Sequence, residues 1–261
     1  MWSLGNKVET YAVIDAEITV ATMGDAIEAV KEMAGEGEKG YICFVNAHVS
    51  VMTRQDECLR NAINGASFAF PDGMPVYWAG RYLWGKRVEK ISGPDFMRHM
   101  FDDAEGRKLR HYFYGGKPSV VNQLILRLKR AFPGCQIVGA ESPPFRPLSE
   151  EEQQQAVGRM LEAQAQLVWV GLGAPKQELW MQRNYSLLNS ATLLGVGAAF
   201  DFHAGTIVRA PPYMRKLGME WLHRLLQEPG RLWKRYLLTN SLFLLYTAVD
   251  CVKQAVFKKN R

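Results

Sequence analysis

Residues 167–178 read Leu-Val-Trp-Val-Gly-Leu-Gly-Ala-Pro-Lys-Gln-Glu, and no other stretch limits the fold as tightly. Four apolar residues, 167–170, run without alternation into Gly171 and Gly173. A strand that is apolar on both faces must be covered on both, as in a parallel sheet with helices above and below it. Pro175 suits the first turn of a following helix, where its missing N–H costs nothing, and puts Lys176, Gln177 and Glu178 at the rim. Strand, glycine turn and helix in this order build a pocket beyond the strand's carboxyl end, where backbone approaches a ligand and free N–H groups favour anions. Two glycines also serve plain packing at such turns, so the stretch alone does not separate the two uses. The same grammar returns about twenty-four residues on, roughly one helix-plus-strand unit, in Leu193-Leu194-Gly195-Val196-Gly197-Ala198-Ala199-Phe200-Asp201.

The rest of the chain extends this pattern. Short strands are predicted at 11–14 and 17–20, and a helix at 24–33. A buried strand at 41–45 is followed by a helix over 49–64. A strand at 67–70 precedes an aromatic helix at 76–84 and a helix running from Ser92-Gly93-Pro94-Asp95 to 101. A strand at 108–114 ends in Gly115-Gly116-Lys117-Pro118 and feeds a helix to 132. A strand at 136–139 leads into a proline-stiffened loop, and Ser149-Glu150-Glu151-Glu152 opens a helix with a capping box. From 41 to 201 six strands alternate with helices. The economical fold is therefore α/β: a Rossmann-like, doubly wound, mostly parallel sheet with right-handed crossovers.

The texture changes after Asp201, and residues 1–208 read as the core with 209–261 as a helical C-terminal appendage. Residues 209–261 hold eleven Lys or Arg and three acids (Glu220, Glu228, Asp250), net +8 against +6 for the whole chain, so 1–208 carry −2. A basic appendage on a mildly acidic body favours phosphates, in a lipid headgroup, a nucleic acid or a pyrophosphate substrate. A helix over 217–227 and another from Arg231 mix Trp221, Trp233 and Tyr236 with Arg224, Arg231 and Arg235, which suits a headgroup interface or an oligomer contact. Residues 236–252 are too short and too polar for a spanning helix. Cys43, Cys58, Cys135 and Cys251 show no metal spacing and read as small core residues of a reducing compartment.

Two residues at strand ends stand out. Asn46 follows the strand at 41–45, where it serves equally as a helix cap or a ligand contact. Asp72 lies in Pro71-Asp72-Gly73, a turn sequence that also opens room for a ligand.

Taken together, Pro71-Asp72-Gly73, Gly115-Gly116-Lys117-Pro118, Gly171 to Glu178, Gly195 to Asp201, Arg209-Ala210-Pro211 and Glu220 to Pro229 resemble, in order, the WecG/TagA/CpsF glycosyltransferases, glycosyltransferase family 26. The resemblance implies inverting transfer of a sugar from a UDP-sugar to a saccharide on a polyprenyl diphosphate, during bacterial exopolysaccharide, teichoic acid or surface glycan synthesis. It implies a cytoplasmic protein, peripheral on the inner face of the cell membrane, whose appendage docks on the lipid and helps to close the site. No metal or other cofactor is implied. The resemblance makes Asp72 the leading candidate for the general base. It puts Asn46 on the sugar side, Gln177 on the sugar or diphosphate, and Asp201 on the nucleoside. Lys90, Gly116, Gly171 and Gly173 line the substrate site, while Arg224, Arg231 and Arg235 face the leaving diphosphate, the membrane or both.

Two positions depart from the pattern. Phe44 stands where relatives can have Thr, and Lys90 stands where relatives can have Arg, keeping the charge without the bidentate fork. A homo-oligomer is compatible with the sequence, and no nucleic-acid module is legible. A nicotinamide-dependent oxidoreductase would also place glycine turns after buried strands, but Lys176 and Phe200 occupy the sixth positions where the dinucleotide motif wants Gly or Ala. A non-catalytic basic adaptor for membranes is the remaining alternative.

Overall fold

The computed structural model describes residues 8–259, without the side chains of Arg231 and residues 253–259. A hairpin of β1 (Thr10–Val13) and β2 (Ala16–Thr19) precedes α1 (Met23–Glu36). There follow β3 (Gly40–Val45), α2 (Ala47–Gln55), α3 (Glu57–Asn64) and β4 (Phe68–Pro71). Helix α4 (Met74–Trp78) runs into a π-helical turn, Ala79–Leu83, and α5 spans Gly93–Asp102. Next come β5 (Arg110–Gly115), α6 (Pro118–Ala131), β6 (Gln136–Glu141), α7 (Glu150–Glu162), β7 (Leu167–Gly171) and α8 (Lys176–Asn184). The core ends with β8 (Thr192–Gly195) and α9 (Ala199–Ala204). Helices α10 (Pro212–Lys216), α11 (Glu220–Gln227) and α12 (Pro229–Lys259) complete the chain.

Strands β3 to β8 form one parallel sheet in the order β4-β3-β8-β7-β5-β6. Its faces follow from the period of two along each strand. Tyr41, Cys43 and Val45 of β3, with Val168 and Val170 of β7, enter one core with α2, α3, α7 and α8. Ile42, Phe44, Leu167 and Trp169 enter the other, with α1, α5, α6 and α9. The doubly wound α/β expectation therefore holds.

Strand topology fixes where a ligand can enter. Neighbouring strands β3 and β8 send their following helices to opposite faces, α2 to one core and α9 to the other. Such a divergence opens a crevice beyond the carboxyl ends. Asn46, the residue before α2, and Asp201, in the first turn of α9, stand on its two sides.

Three helix boundaries correct the sequence reading. The helix expected over 49–64 is two helices. Asp56 is extended (φ −128°, ψ 108°), its N–H closes α2 on the Met52 carbonyl, and its carboxylate caps α3 at the Leu59 N–H. The aromatic helix begins two residues early and turns π-helical where Gly80 abuts the Tyr11 ring, at a spot where a Cβ would lie 2.5 Å from Tyr11. The helix expected from 217 begins at Glu220, because Gly218 adopts φ +73°.

Helix α12 lies along α2. Arg54 bridges Asp15 (2.9 Å) and Asp250 (3.2 Å) and sits 4.9 Å from the Tyr246 ring centroid. Thr239 Oγ1 is 3.1 Å from His48 Nδ1, and Leu232 and Phe243 are buried. Leu237, Leu238, Leu244, Leu245 and Val252 are exposed on the same helix. Among the described residues, no helix is long and apolar enough to cross a membrane.

Candidate active site

Asp72 follows the last residue of β4, and its own N–H is held by the Val45 carbonyl of β3 at 2.9 Å. That bond points the carboxyl group across the carboxyl edge of the sheet. Oδ2 accepts from Asn46 Nδ2 at 3.4 Å, and Oδ1 accepts from the Gly93 N–H at 3.3 Å. Asn46 has two functions at once: its Oδ1 caps α2 at the His48 and Val49 N–H groups (3.1 and 3.2 Å) while its amide nitrogen faces Asp72. Burial is the chief cause that raises the Asp72 carboxyl to about 6, with the Glu220 carboxylate adding to it; Lys90 and the Asn46 and Gly93 hydrogen bonds pull the other way.

From Asp72 a line of contacts runs to both glycine turns. Gly93 packs on the Val196 backbone, which a Cβ would meet at 3.1 Å. Gly197 (φ +53°) abuts the Gln177 side chain. Gln177 accepts from the Gly173 N–H at 3.1 Å and donates to Glu178 at 2.9 Å and to the Gly195 carbonyl at 2.7 Å. Gly116 (φ +69°) donates to the Gly171 carbonyl at 3.1 Å. At Gly115 a Cβ would lie 2.6 Å from the Gly171 backbone, so only glycine lets these two turns touch. Asp201 is half-buried, with Oδ1 accepting from Thr206 Oγ1 at 3.1 Å.

The C-terminal helices reach this crevice. Glu220 of α11 lies 3.9 Å from Lys90 Nζ and 3.2 Å from Arg209 Nε. Arg209 forks onto Asp95 (2.6 and 2.8 Å) and touches Ser92 Oγ at 3.1 Å, and Arg215 joins Asp95 at 3.4 Å. This network holds the Asp95 carboxyl down at about 2 against the opposing effect of burial, which is the largest single influence on it. The guanidinium groups of Arg209 and Arg224 sit 5.9 and 5.7 Å from the Phe202 ring centroid, beside Asp201. Burial first, and the Arg235 charge second, push the His48 imidazole down to about 4. Nε of both Arg224 and Arg235 is buried with no protein partner. The side chain of Arg231 lies outside the described residues.

An acid with a raised pKa, side-chain-free glycine turns and cations on a separate flank suit group transfer from a diphosphate leaving group. The profile of the family described as "Glycosyl transferase WecG/TagA/CpsF family" matches residues 11–260. The chain belongs to the WecG/TagA/CpsF glycosyltransferase family. A curated relative from Bacillus spizizenii, named N-acetylglucosaminyldiphosphoundecaprenol N-acetyl-beta-D-mannosaminyltransferase, is 28% identical over 202 residues, covering 77% of this chain and 76% of its own.

As a member of this family, the chain shows how its two departures are housed. Phe44 points away from the crevice into the aromatic core, 5.3 Å from Phe96 and 6.0 Å from Phe70 between centroids. Lys90 stays at the rim, half-buried and paired with Glu220. Gln177 is only 4% exposed, with both ends of its amide engaged inside the protein, so it ties the two glycine turns together. Sequence reasoning did not single out Arg209, Glu220, Asp95 or Glu178 as site residues. The Ser92-x-x-Asp95 spacing signals a helix start, but nothing local signals an arginine 114 residues further on.

Glu178 is fully buried; desolvation lifts its carboxyl to about 7, and Oε2 has no partner. The raised folded value means that the native state binds the extra proton between the ordinary carboxylate range and pH 7, so stability is lost as pH rises through that window. Glu178→Gln should therefore leave thermal stability near wild type at pH 4.5 and raise it at pH 8, by up to about 3 kcal/mol on linkage arithmetic. Denaturant melts at the two pH values read this difference.

Proposed function

We propose that this family member transfers a sugar from a UDP-sugar to a saccharide carried on a polyprenyl diphosphate, with inversion and with Asp72 as general base. The observation that carries the reading is Asp72 itself: a half-buried carboxyl raised to about 6, set on the crevice shared by both glycine turns. A carboxylate of that kind takes the proton of the acceptor hydroxyl as its oxygen attacks the anomeric carbon from the side opposite UDP. Asn46 orients Asp72 and meets the sugar. The turns at Gly116, Gly171 and Gly173, tied to one another and spaced by Gln177, shape the floor on which the diphosphate lies, and Asp201 takes the nucleoside.

The departing diphosphate gathers charge, and Arg224 and Arg235 are assigned to meet it. A buried guanidinium Nε without a partner is a donor awaiting an acceptor. Arg231 belongs to the same helix and is assigned to the same charge or to lipid. The exposed apolar residues of α12 and the basic balance of 209–261 support docking on a membrane surface that carries the acceptor. The Bacillus relative's name specifies a diphosphoundecaprenol acceptor and a β-linked product, and both fit this proposal.

The test is turnover of UDP-N-acetylmannosamine, UDP-glucose and a UDP-uronic acid with a synthetic prenyl-diphosphate N-acetylglucosamine, with chelator present. At least one donor should give a disaccharide lipid. Failure of all three, alongside saturable binding of a nicotinamide dinucleotide, would favour the oxidoreductase.

A further inference from the structure

The Lys90 charge bears on the base, yet the ion pair of Lys90 is with Glu220 and not with Asp72. Both groups sit at the carboxyl edge of the sheet: Asp72 after β4, Lys90 in the loop that returns to α5 through the Ile91 N–H bond to the Pro71 carbonyl (2.9 Å). The short loop therefore carries an ammonium group past a half-buried carboxylate. In a partly desolvated site opposite charges attract strongly, and a direct pair would make Asp72 a poor base. Instead the ammonium lies 3.9 Å from Glu220 Oε2 on α11.

Glu220 is itself fixed. Its other oxygen takes Arg209 Nε at 3.2 Å, and Arg209 is locked by its fork onto Asp95 and its contact with Ser92. Ser92 and Asp95 flank Gly93, whose N–H holds Asp72. The carboxylate from the C-terminal helices and the carboxylate of the core thus both act on Lys90. The groups facing Asp72 are Glu220 and Lys90 as charges, and Asn46 and the Gly93 N–H as donors.

We propose that Glu220 is a positioning residue for the base: by taking the Lys90 ammonium it keeps that cation from pairing with the Asp72 carboxylate. The proposal rests on the reading of Asp72 as the base and adds a dependence on α11. When α11 sits on the core, Lys90 is drawn to Glu220 and Asp72 is free to accept a proton. Without Glu220, the Lys90 charge bears on Asp72 and on Asp95; Asp95 is already taken by the Arg209 fork, so the ammonium turns to Asp72 and the base is quenched.

The experiment uses the full chain and reads the pH profile of kcat/KM for Glu220→Gln, Glu220→Asp and each of these in a Lys90→Gln background. Glu220→Gln should move the acid limb to lower pH by at least about half a pH unit and lower the plateau kcat about two- to threefold, because a carboxylate paired with a cation is a weaker base. KM for the UDP-sugar should stay within about twofold. Glu220→Asp, which keeps the charge, should hold its limb near wild type. In the Lys90→Gln background the limb shift caused by Glu220→Gln should shrink by more than half, a coupling that independent sites do not show. An unmoved or raised limb in Glu220→Gln, the same limb in the Gln and Asp variants, or an undiminished shift without Lys90 would each overturn the proposal. Should Glu220→Gln fail to fold, the Lys90→Gln limb decides: it must lie above wild type. Near-normal turnover of Asp72→Asn would instead remove the base reading on which the proposal stands.

Discussion

Alanine at both Arg224 and Arg235 should lower kcat on the lipid acceptor by on the order of 10³-fold while leaving the fold intact. Transfer leaves one further negative charge on the β-phosphate of the departing UDP, and preorganised donors aimed at developing charge are among the largest catalytic terms, one donor being worth on the order of 10²–10³ in kcat. Both side chains are half-buried and held by aromatic contacts, Arg224 on Phe202 and Arg235 on Tyr236. Removing them breaks no ion pair among the described residues. The two losses should not multiply, because groups that serve one charge act as a unit. Lysine at either position should restore part of the rate, since it keeps the charge without the planar fork. Acceptors presented in detergent separate this role from lipid docking: a double variant with wild-type kcat in detergent and weaker vesicle binding would make these arginines membrane contacts only.

Asp72→Asn should cost about 10²–10⁴ in kcat, the usual worth of a positioned general base, with UDP-sugar affinity kept within about twofold. Asparagine is nearly isosteric and can still accept from the Gly93 N–H, so the crevice keeps its shape. The wild-type profile should fall as pH drops through about 6, the value to which burial and Glu220 raise the acid, because the deprotonated form is the active one. The Asn variant should show residual turnover with no such limb. Turnover within tenfold of wild type would remove Asp72 as the base.

The sequence showed those parts of the molecule whose causes are local. Unalternated apolar runs at 41–45 and 167–170 are strands covered on both faces, and the capping box at Ser149 opens α7 at the expected place. Asn46 offered two readings, cap and site contact, and its two side-chain ends bond in both directions. The helix expected over 49–64 is broken at Asp56, whose carboxylate caps a new helix. The clamp of Arg209, Glu220, Lys90 and Asp95 could not be seen in advance, because charges far apart in the chain carry no mutual signal until the fold brings them to 2.6–3.9 Å. The position of Phe44 shows the converse: at a family site position it follows the strand's alternation into the core.

The anomeric configuration of the first disaccharide lipid formed, read by proton NMR, tests the central claim most directly. In-line attack assisted by Asp72 requires an α-linked UDP donor to yield a β-linked product, made by the wild type and lost in Asp72→Asn. An α-linked product would contradict a single displacement with Asp72 as its base.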